Sequence, residues 1–399
     1  MSFKIIKALF SCPNYFLNYD RDMRSNRSSY LNTKRDAWVE INLDNIEKNI
    51  IELKKFLNPN SKILAVVKAD AYGHGSVMIT PTLLASGVDM LGVASIDEGI
   101  QLREAKIDVP ILVLGAAPVW AFDYAAENNI TLSLFSEEHL KAAKLTYEKT
   151  GLKPKVHIKL DTGMNRIGVR PEQAVEMIKR VQRSDYVQLD GIFTHFANAE
   201  DTKKTQAQLT IWNNIVSQID TKDLLIHCAN TAAMIAFDKI DYNMARAGLG
   251  IYGFVPDLIP EYKSKPKLTP VLSLKGRITN IHTADEGEGV SYCHTYIASK
   301  KIKVATIPIG YADGVSRVLS NKIYGILNGK KVPQIGNITM DQMMFDISGV
   351  NAEEGDIITL IGQDGNEVIS IDEWANILGT INYELLCRLK VRLSRVYTR

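Results

Sequence analysis

A chain of 399 residues, 46% of them hydrophobic, has the apolar material for a large core and more than one domain. Its formal net charge of +2, with no long charge run, excludes the basic face that a nucleic-acid binder presents. No apolar stretch reaches the roughly 18 residues a membrane-spanning helix needs. The four cysteines, Cys12, Cys228, Cys293 and Cys387, are scattered, with neither a C-x-x-C pair nor a zinc spacing. Free thiols in a reducing compartment, and no metal, are the expectation.

Residues 1–36 are rich in Ser, Asn, Arg and Lys and lack a period, so a disordered N-terminal extension is expected. The run Ile5-Ile6-Lys7-Ala8-Leu9-Phe10 is too short and interrupted for a secretory signal. A transit peptide and a true start at Met23 both stay open; Asp20 and Asp22 count against the first. Ordered chain begins with the alternating strand at 37–43. A helix then runs to about Leu57, with Asp44 as its cap and Glu47 at capping-box spacing.

From Ile63 onward, apolar runs alternate with helical patterns. The runs cover 63–67, 90–94, 110–114, 131–135, 155–160, 189–196, 224–228 and 243–251. Asp97-Glu98 and Pro171-Glu172 mark helix starts between them. Such alternation implies parallel strands with right-handed crossovers, and eight units close most naturally into a (β/α)8 TIM-type barrel over residues 37–258. A doubly wound open sheet is the rival, weakened because no G-x-G-x-x-G turn follows the first run. Beyond about 255, helical periodicity is absent until Ile371. Short strands at 272–278, 302–307, 323–327, 343–347 and 357–361 predict a mainly antiparallel β domain over 259–399, joined by a linker at 256–270.

Barrel enzymes carry their reacting groups at the C-terminal ends of the strands. Lys68 and Tyr72 follow the first run, in Val67-Lys68-Ala-Asp-Ala-Tyr72-Gly-His74. A lysine there is either a structural ion pair or a desolvated amine that forms a Schiff base. Arg166 follows the fifth run; it could act on a ligand or pair with Asp161 on its own loop. His195 ends the sixth, as a reactive group or a satisfied core histidine. His227, Asn230 and Thr231 end the seventh. Asn230-Thr231 reads equally as a plain helix cap or, with Gly248, as an anion site. Arg246 on the eighth, between Ala245 and Ala247, needs an acceptor if it is buried. In the β domain, Tyr292 and Tyr311 could be packing tyrosines, and Met340-Asp341 an ordinary hairpin.

Together, the segments around Lys68, Arg166, His195, Arg246 and Tyr292 resemble the alanine racemase family from about residue 37 to the end. That resemblance implies a pyridoxal-phosphate barrel of fold type III with a C-terminal β domain. It also implies a cytoplasmic, head-to-tail homodimer with two shared active sites. Lys68 then holds the cofactor and is one catalytic base; Tyr292 of the partner subunit is the other. Arg246 faces the cofactor's ring nitrogen, and His195 bridges Arg246 and Tyr292. Tyr72, Thr231, Gly248 and Leu249 bind the phosphate, and Asn230 and His227 support them. Arg166 contacts cofactor and substrate. Tyr311 and Met340 bound the substrate carboxylate and the entrance, with Asp341 behind that wall. Lys159 matches a lysine that is carbamylated in some members.

There are departures. Thr339 stands where many members have cysteine, Thr231 where many have serine, and Val391 where some have a phosphate-binding tyrosine. The implied activity is interconversion of L- and D-alanine, supplying D-alanine for peptidoglycan. Inverting a stereocentre needs a base on each face, and Lys68 alone reaches only one. An arginine at the ring nitrogen disfavours its protonation, which weakens the electron sink and suppresses side reactions. The alternatives are a broad-specificity or serine racemase and a non-catalytic cofactor-binding carrier. Related barrel decarboxylases place a carboxylate where Arg246 stands.

Overall fold

The eight apolar runs form eight parallel strands, and most are buried from end to end. Following β1 (Ala37–Asn42) in the chain, they are β2 (Lys62–Val66), β3 (Met90–Val93), β4 (Ile111–Val113), β5 (Thr131–Leu134), β6 (Lys155–Lys159), β7 (Gln188–Phe193), β8 (Leu225–His227) and β9 (Met244–Ala247). Every residue of β3, β4, β5 and β9 is buried, which is why the sequence shows continuous rather than alternating apolar runs. The strands pair in the order β8-β7-β6-β5-β4-β3-β2-β9, a nearly closed barrel. At the β8–β9 seam the Asn243 side chain accepts from Ile226 N (2.7 Å) and donates to Leu224 O (2.8 Å). The Arg246 amide donates to Ala229 O (3.0 Å) at the same seam.

This computed structural model describes residues 35–237, 240, 242–255, 265–389 and 392–399. The expectation of disorder over 1–36 falls, except for Arg35 and Asp36, outside the described residues, as do Val391 and most of the expected linker. Arg35 belongs to the fold: it grips the fully buried Asp313 with two hydrogen bonds of 2.5 and 2.8 Å.

The second sheet collects β10 (Leu272–Arg277), β11 (Asn280–Ala284), β14 (Ile302–Ile307), β15 (Tyr324–Leu327), β16 (Lys330–Ile335), β17 (Met343–Asp346), β18 (Ile357–Asp364), β19 (Glu367–Ile369) and β20 (Ser394–Thr398). A separate hairpin, β12 (Gly289–Val290) with β13 (Tyr296–Ile297), hangs off it. Nearly all pairings are antiparallel. The exception is β1, which runs parallel to β20 and antiparallel to β10. The first ordered strand thus hydrogen-bonds into the C-terminal sheet, ahead of the barrel that follows it in sequence.

The first helix departs from expectation at both ends. It spans Leu43–Lys54, and its cap is Asn42, whose side chain accepts from Asn45 N (2.9 Å). Packing sets that start. Ile46, Asn49, Ile50 and Leu53 must face inward together, at the 3.6-residue period. Buried Asn49 is satisfied by Ile251 O and by both backbone groups of Thr269. Asp44 and Glu47, expected to cap, instead lie 3.7 and 3.8 Å from Arg399.

Candidate active site

Lys68 follows β2 at the barrel mouth, and the chain after it does not form the right-handed helix its composition suggests. Ala69, Asp70, Ala71 and Tyr72 all have φ between 52 and 55°, one turn of left-handed helix without a glycine. Left-handed backbone costs a non-glycine residue on the order of 1 kcal/mol. The turn is therefore braced from several sides. Glu98 accepts from Ala69 N (2.7 Å) and Ala94 N (2.6 Å). Asp70 accepts from Ser76 N (2.7 Å). The His74 ring contacts Ala71 O and Tyr72 O. From β20, Arg395 donates to Gly73 O and the Tyr397 hydroxyl to His74 O. Lys68 itself is exposed, and its amine has no hydrogen-bond or ion-pair partner among the described residues. The structural ion pair is thus not what the chain makes of it.

Beside Lys68 lies a cationic cluster centred on Arg246, which is 3% exposed. Its guanidinium donates to the carbonyls of Thr194 (2.7 Å), Cys228 (2.9 Å) and His227 (3.0 Å). It also meets Nδ1 of His227 (2.9 Å) and Nδ1 of His195 (3.2 Å). No carboxylate pairs with it among the described residues. Burial pushes its pKa down to about 10, so it stays protonated at neutral pH. Since arginine only donates, both Nδ1 atoms must accept, and each ring's proton resides on Nε2. His227 Nε2 then donates to His157 Nδ1 (2.9 Å). Burial holds His157 at about 3, and burial with the Arg246 charge keeps His195 and His227 well below the usual imidazole range. All three rings are neutral.

Lys159 joins this cluster at 3% exposure, its amine 4.7 Å from the Phe193 ring centre. Burial, then Arg246 and Arg166, push its pKa well down. Arg166 is exposed and does not pair with Asp161. Arg170 takes that carboxylate at 3.2 Å, and the backbone amides of Gly163 and Asn165 bind it too. Lys68, Lys159, Arg166 and Arg246 all bear on His195. Lys68, Arg166 and Arg246, with no carboxylate paired to them among the described residues, suit an anionic ligand.

An anion cradle lies across the mouth. Asn230 caps the helix Thr231–Ala236 by accepting from Ala233 N (2.9 Å), and Thr231 Oγ1 accepts from Gly248 N (2.9 Å). A Cβ on Gly248 would sit 3.4 Å from the Tyr72 hydroxyl and 3.9 Å from Thr231 Oγ1, inside the cradle. Leu249 opens the short turn Leu249–Tyr252 just behind. Tyr72 is 8% exposed, its ring tilted against Tyr252 at 4.9 Å between centroids, and its hydroxyl has no partner among the described residues. Cys387 stands nearby; burial raises its thiol pKa and the Lys68 charge opposes that rise.

The remaining predicted residues lie on the β domain and point outward. Tyr292 is 71% exposed, Met340 52% and Tyr311 40%. The Tyr292 side chain touches no partner among the described residues. Asp341 is held at 2.6 Å by Arg392. Sequence reasoning missed His157, although it sits two residues before Lys159 on one strand and so shares its face. It also missed Gly191, where any Cβ would press within 2.8 Å of the His157 ring.

Comparison with known proteins agrees with this geometry. Residues 41–256 match the N-terminal domain model of alanine racemases and residues 271–397 the C-terminal one. An alanine racemase from Nostoc is 42% identical over 369 residues, covering 90% of this chain and 95% of the relative. The structure of alanine racemase from Clostridium difficile superposes with a TM-score of 0.86 at 37% identity, over 92% of this chain and 96% of that one. A histidine racemase from Leuconostoc mesenteroides reaches 0.85 at 29% identity, over 92% and 99%. Matched through both of its domains and nearly from end to end, this chain belongs to the alanine racemase family.

Proposed function

We propose that this racemase interconverts L- and D-alanine with pyridoxal phosphate, by two bases supplied from two subunits of a head-to-tail homodimer. The observation that carries the reading is a complementarity. Among the described residues, Lys68 is exposed and unpartnered at a cationic barrel mouth, and Tyr292 is exposed and unpartnered on the β domain. A second copy of the chain would cover the first with the second and remove both from water. The domain organisation that fits is a barrel of residues 43–255 and a β domain built from 37–42 and 265–399.

The residues present suit the cofactor. The unpartnered Tyr72 hydroxyl, Thr231 and the Gly248-Leu249 backbone would hold its phosphate, Lys68 its reactive carbon and Arg246 its ring nitrogen. When bound, pyridoxal phosphate supplies the electron sink that makes an amino-acid α-proton removable. The protein does the rest. Lys68 moves that proton on one face and Tyr292 of the partner subunit moves it on the other. Arg246 fixes His195 with its proton on Nε2, so His195 can donate to the Tyr292 oxygen when that oxygen carries charge. Arg166, with no carboxylate of its own, is free to hold a substrate carboxylate beside Tyr311 and Met340. Burial pushes the Lys159 amine towards the neutral form, which takes up carbon dioxide with loss of a proton, and the resulting carbamate would give Arg166 an anion to lean on.

The proposed cellular role is cytoplasmic supply of D-alanine for peptidoglycan. Specificity is the open axis, because a histidine racemase shares the fold. The test is an assay of the purified protein with added pyridoxal phosphate on both enantiomers of alanine, serine and lysine. Alanine should react fastest. Tyr292→Phe should lose about 10²–10⁴-fold in both directions, the usual worth of a positioned acid–base group. Racemisation by Tyr292→Phe at the wild-type rate would remove the two-base scheme.

A further inference from the structure

Tyr292 sits between β12 and β13 on backbone that an isolated loop would not hold. Its neighbours Ser291, Cys293 and His294 have φ of 66, 61 and 45°, and none is glycine. Something outside the hairpin must keep the loop in this shape, and the contacts converge on one turn. Asn337 Nδ2 donates to the carbonyl of Tyr292 at 2.7 Å. In return, Ser291 Oγ donates to the carbonyl of Asn337 at 2.7 Å. The two bonds close a reciprocal clamp across 45 residues of sequence. Asn337 is 7% exposed, so its amide has little water to exchange with. Beside it, Gly336 packs so tightly on the hairpin that a Cβ would come within 2.6 Å of Val290 O. The His294 ring covers Gly289 just as closely on the other side. The Tyr292 side chain, by contrast, is 71% exposed and has no hydrogen-bond partner among the described residues. Its aim is therefore set through the main chain.

We infer that Asn337 is a positioning residue for the Tyr292 base. Its amide holds the Tyr292 carbonyl, and so directs a hydroxyl that works in the partner's site. Asn337 also lies in the segment between β16 and β17 that leads to Met340, so the clamp ties the base to that wall of the entrance. The inference rests on Tyr292 acting as a base. It adds that the aim of this base depends on a side chain that touches neither substrate nor cofactor.

The test uses the cofactor-loaded enzyme and α-deuterated L- and D-alanine. Each enantiomer gives its α-hydrogen to a different base, so an isotope effect reports on one base at a time. Loosening Tyr292 should slow its own proton step and leave the Lys68 step alone. Asn337→Ala is expected to lower kcat by about 10–100-fold, the equivalent of one or two buried hydrogen bonds. The isotope effect should rise for the enantiomer served by Tyr292 and fall towards one for the other. A merely structural defect would lower both rates without that asymmetry. Ser291→Ala removes only the reciprocal bond and should show the same asymmetry at about 3–10-fold; it carries the test if Asn337→Ala does not fold. Fluorotyrosine placed at position 292 gives a readout apart from turnover. Its fluorine resonance should broaden or split in Asn337→Ala and stay single in wild type. Unchanged isotope effects with an unchanged fluorine line would overturn the inference while leaving the two-base reading intact. Full activity in Tyr292→Phe would instead overturn the reading beneath it.

Discussion

Arg246 shows how one residue's chemistry organises its surroundings. A lysine ammonium has three donors on a flexible stem, whereas guanidinium presents five in a rigid fork. Here the fork meets three carbonyls and two imidazole nitrogens at once. Arg246→Lys keeps the charge but leaves some of those buried acceptors unmatched. It should lower unfolding stability by about 1–3 kcal/mol, read from denaturant midpoints. Activity should fall at least tenfold, because His195 loses its fixed tautomer. Cys293 poses the opposite case, since its φ of 61° suits glycine better. Cys293→Gly relieves that strain but frees the unfolded chain, so a net gain of up to about 0.5–1 kcal/mol is expected in thermal unfolding. The need for an acceptor was legible at Arg246, because a charge among alanines must find one. Asn337 was not legible, because its partner lies 45 residues away and no local period connects them.

At the level of elements, the barrel strands were readable because burial on both faces writes an unbroken apolar run. The turn after Lys68 was not readable. Ala-Asp-Ala-Tyr carries no preference for left-handed backbone, and the conformation is imposed by Glu98, by His74 just after the turn, and by Arg395 and Tyr397 on the distant β20. The membership of β1 and β20 in one sheet was hidden for the same reason, since strand pairing is non-local. The three-residue edge strand β19 lacks the length to show alternation. The bracing predicts its own failure. Glu98→Ala orphans the amides of Ala69 and Ala94 and lets the turn relax away from Lys68. Pyridoxal phosphate affinity should drop about tenfold or more, measured by absorbance titration, with a stability loss of about 1–3 kcal/mol. Wild-type affinity in that variant would mean that the turn holds its shape unaided.

Across the whole molecule, both the barrel and the β sheet enclose buried polar groups. Asp313 is fully buried beneath the Arg35 fork, with Arg392 at 3.5 Å. Arg35→Ala would leave that carboxylate short of its main partner, at a cost of about 3–5 kcal/mol in unfolding free energy. Buried histidines of the barrel set the response to acid. His74, His157 and His227 are completely buried and uncharged. Burial holds His74 at about 4 and His157 at about 3, and His227 well below its ordinary value. In the unfolded chain each titrates near 6.5. Below about pH 6.5 the unfolded state therefore binds protons that the folded state refuses. Their contribution is complete above that pH and shrinks as pH falls towards the folded values, by roughly 1.4 kcal/mol per group per unit. Unfolding free energy measured between pH 7.5 and 5 should be flat at the upper end and then fall with a slope approaching four protons, because His195 is held down in the same way. His157→Asn keeps an acceptor for His227 Nε2 but does not titrate, so it should shallow that slope by about one proton. A profile flat down to pH 5, or one that His157→Asn leaves unchanged, would mean that the buried rings take up protons without unfolding.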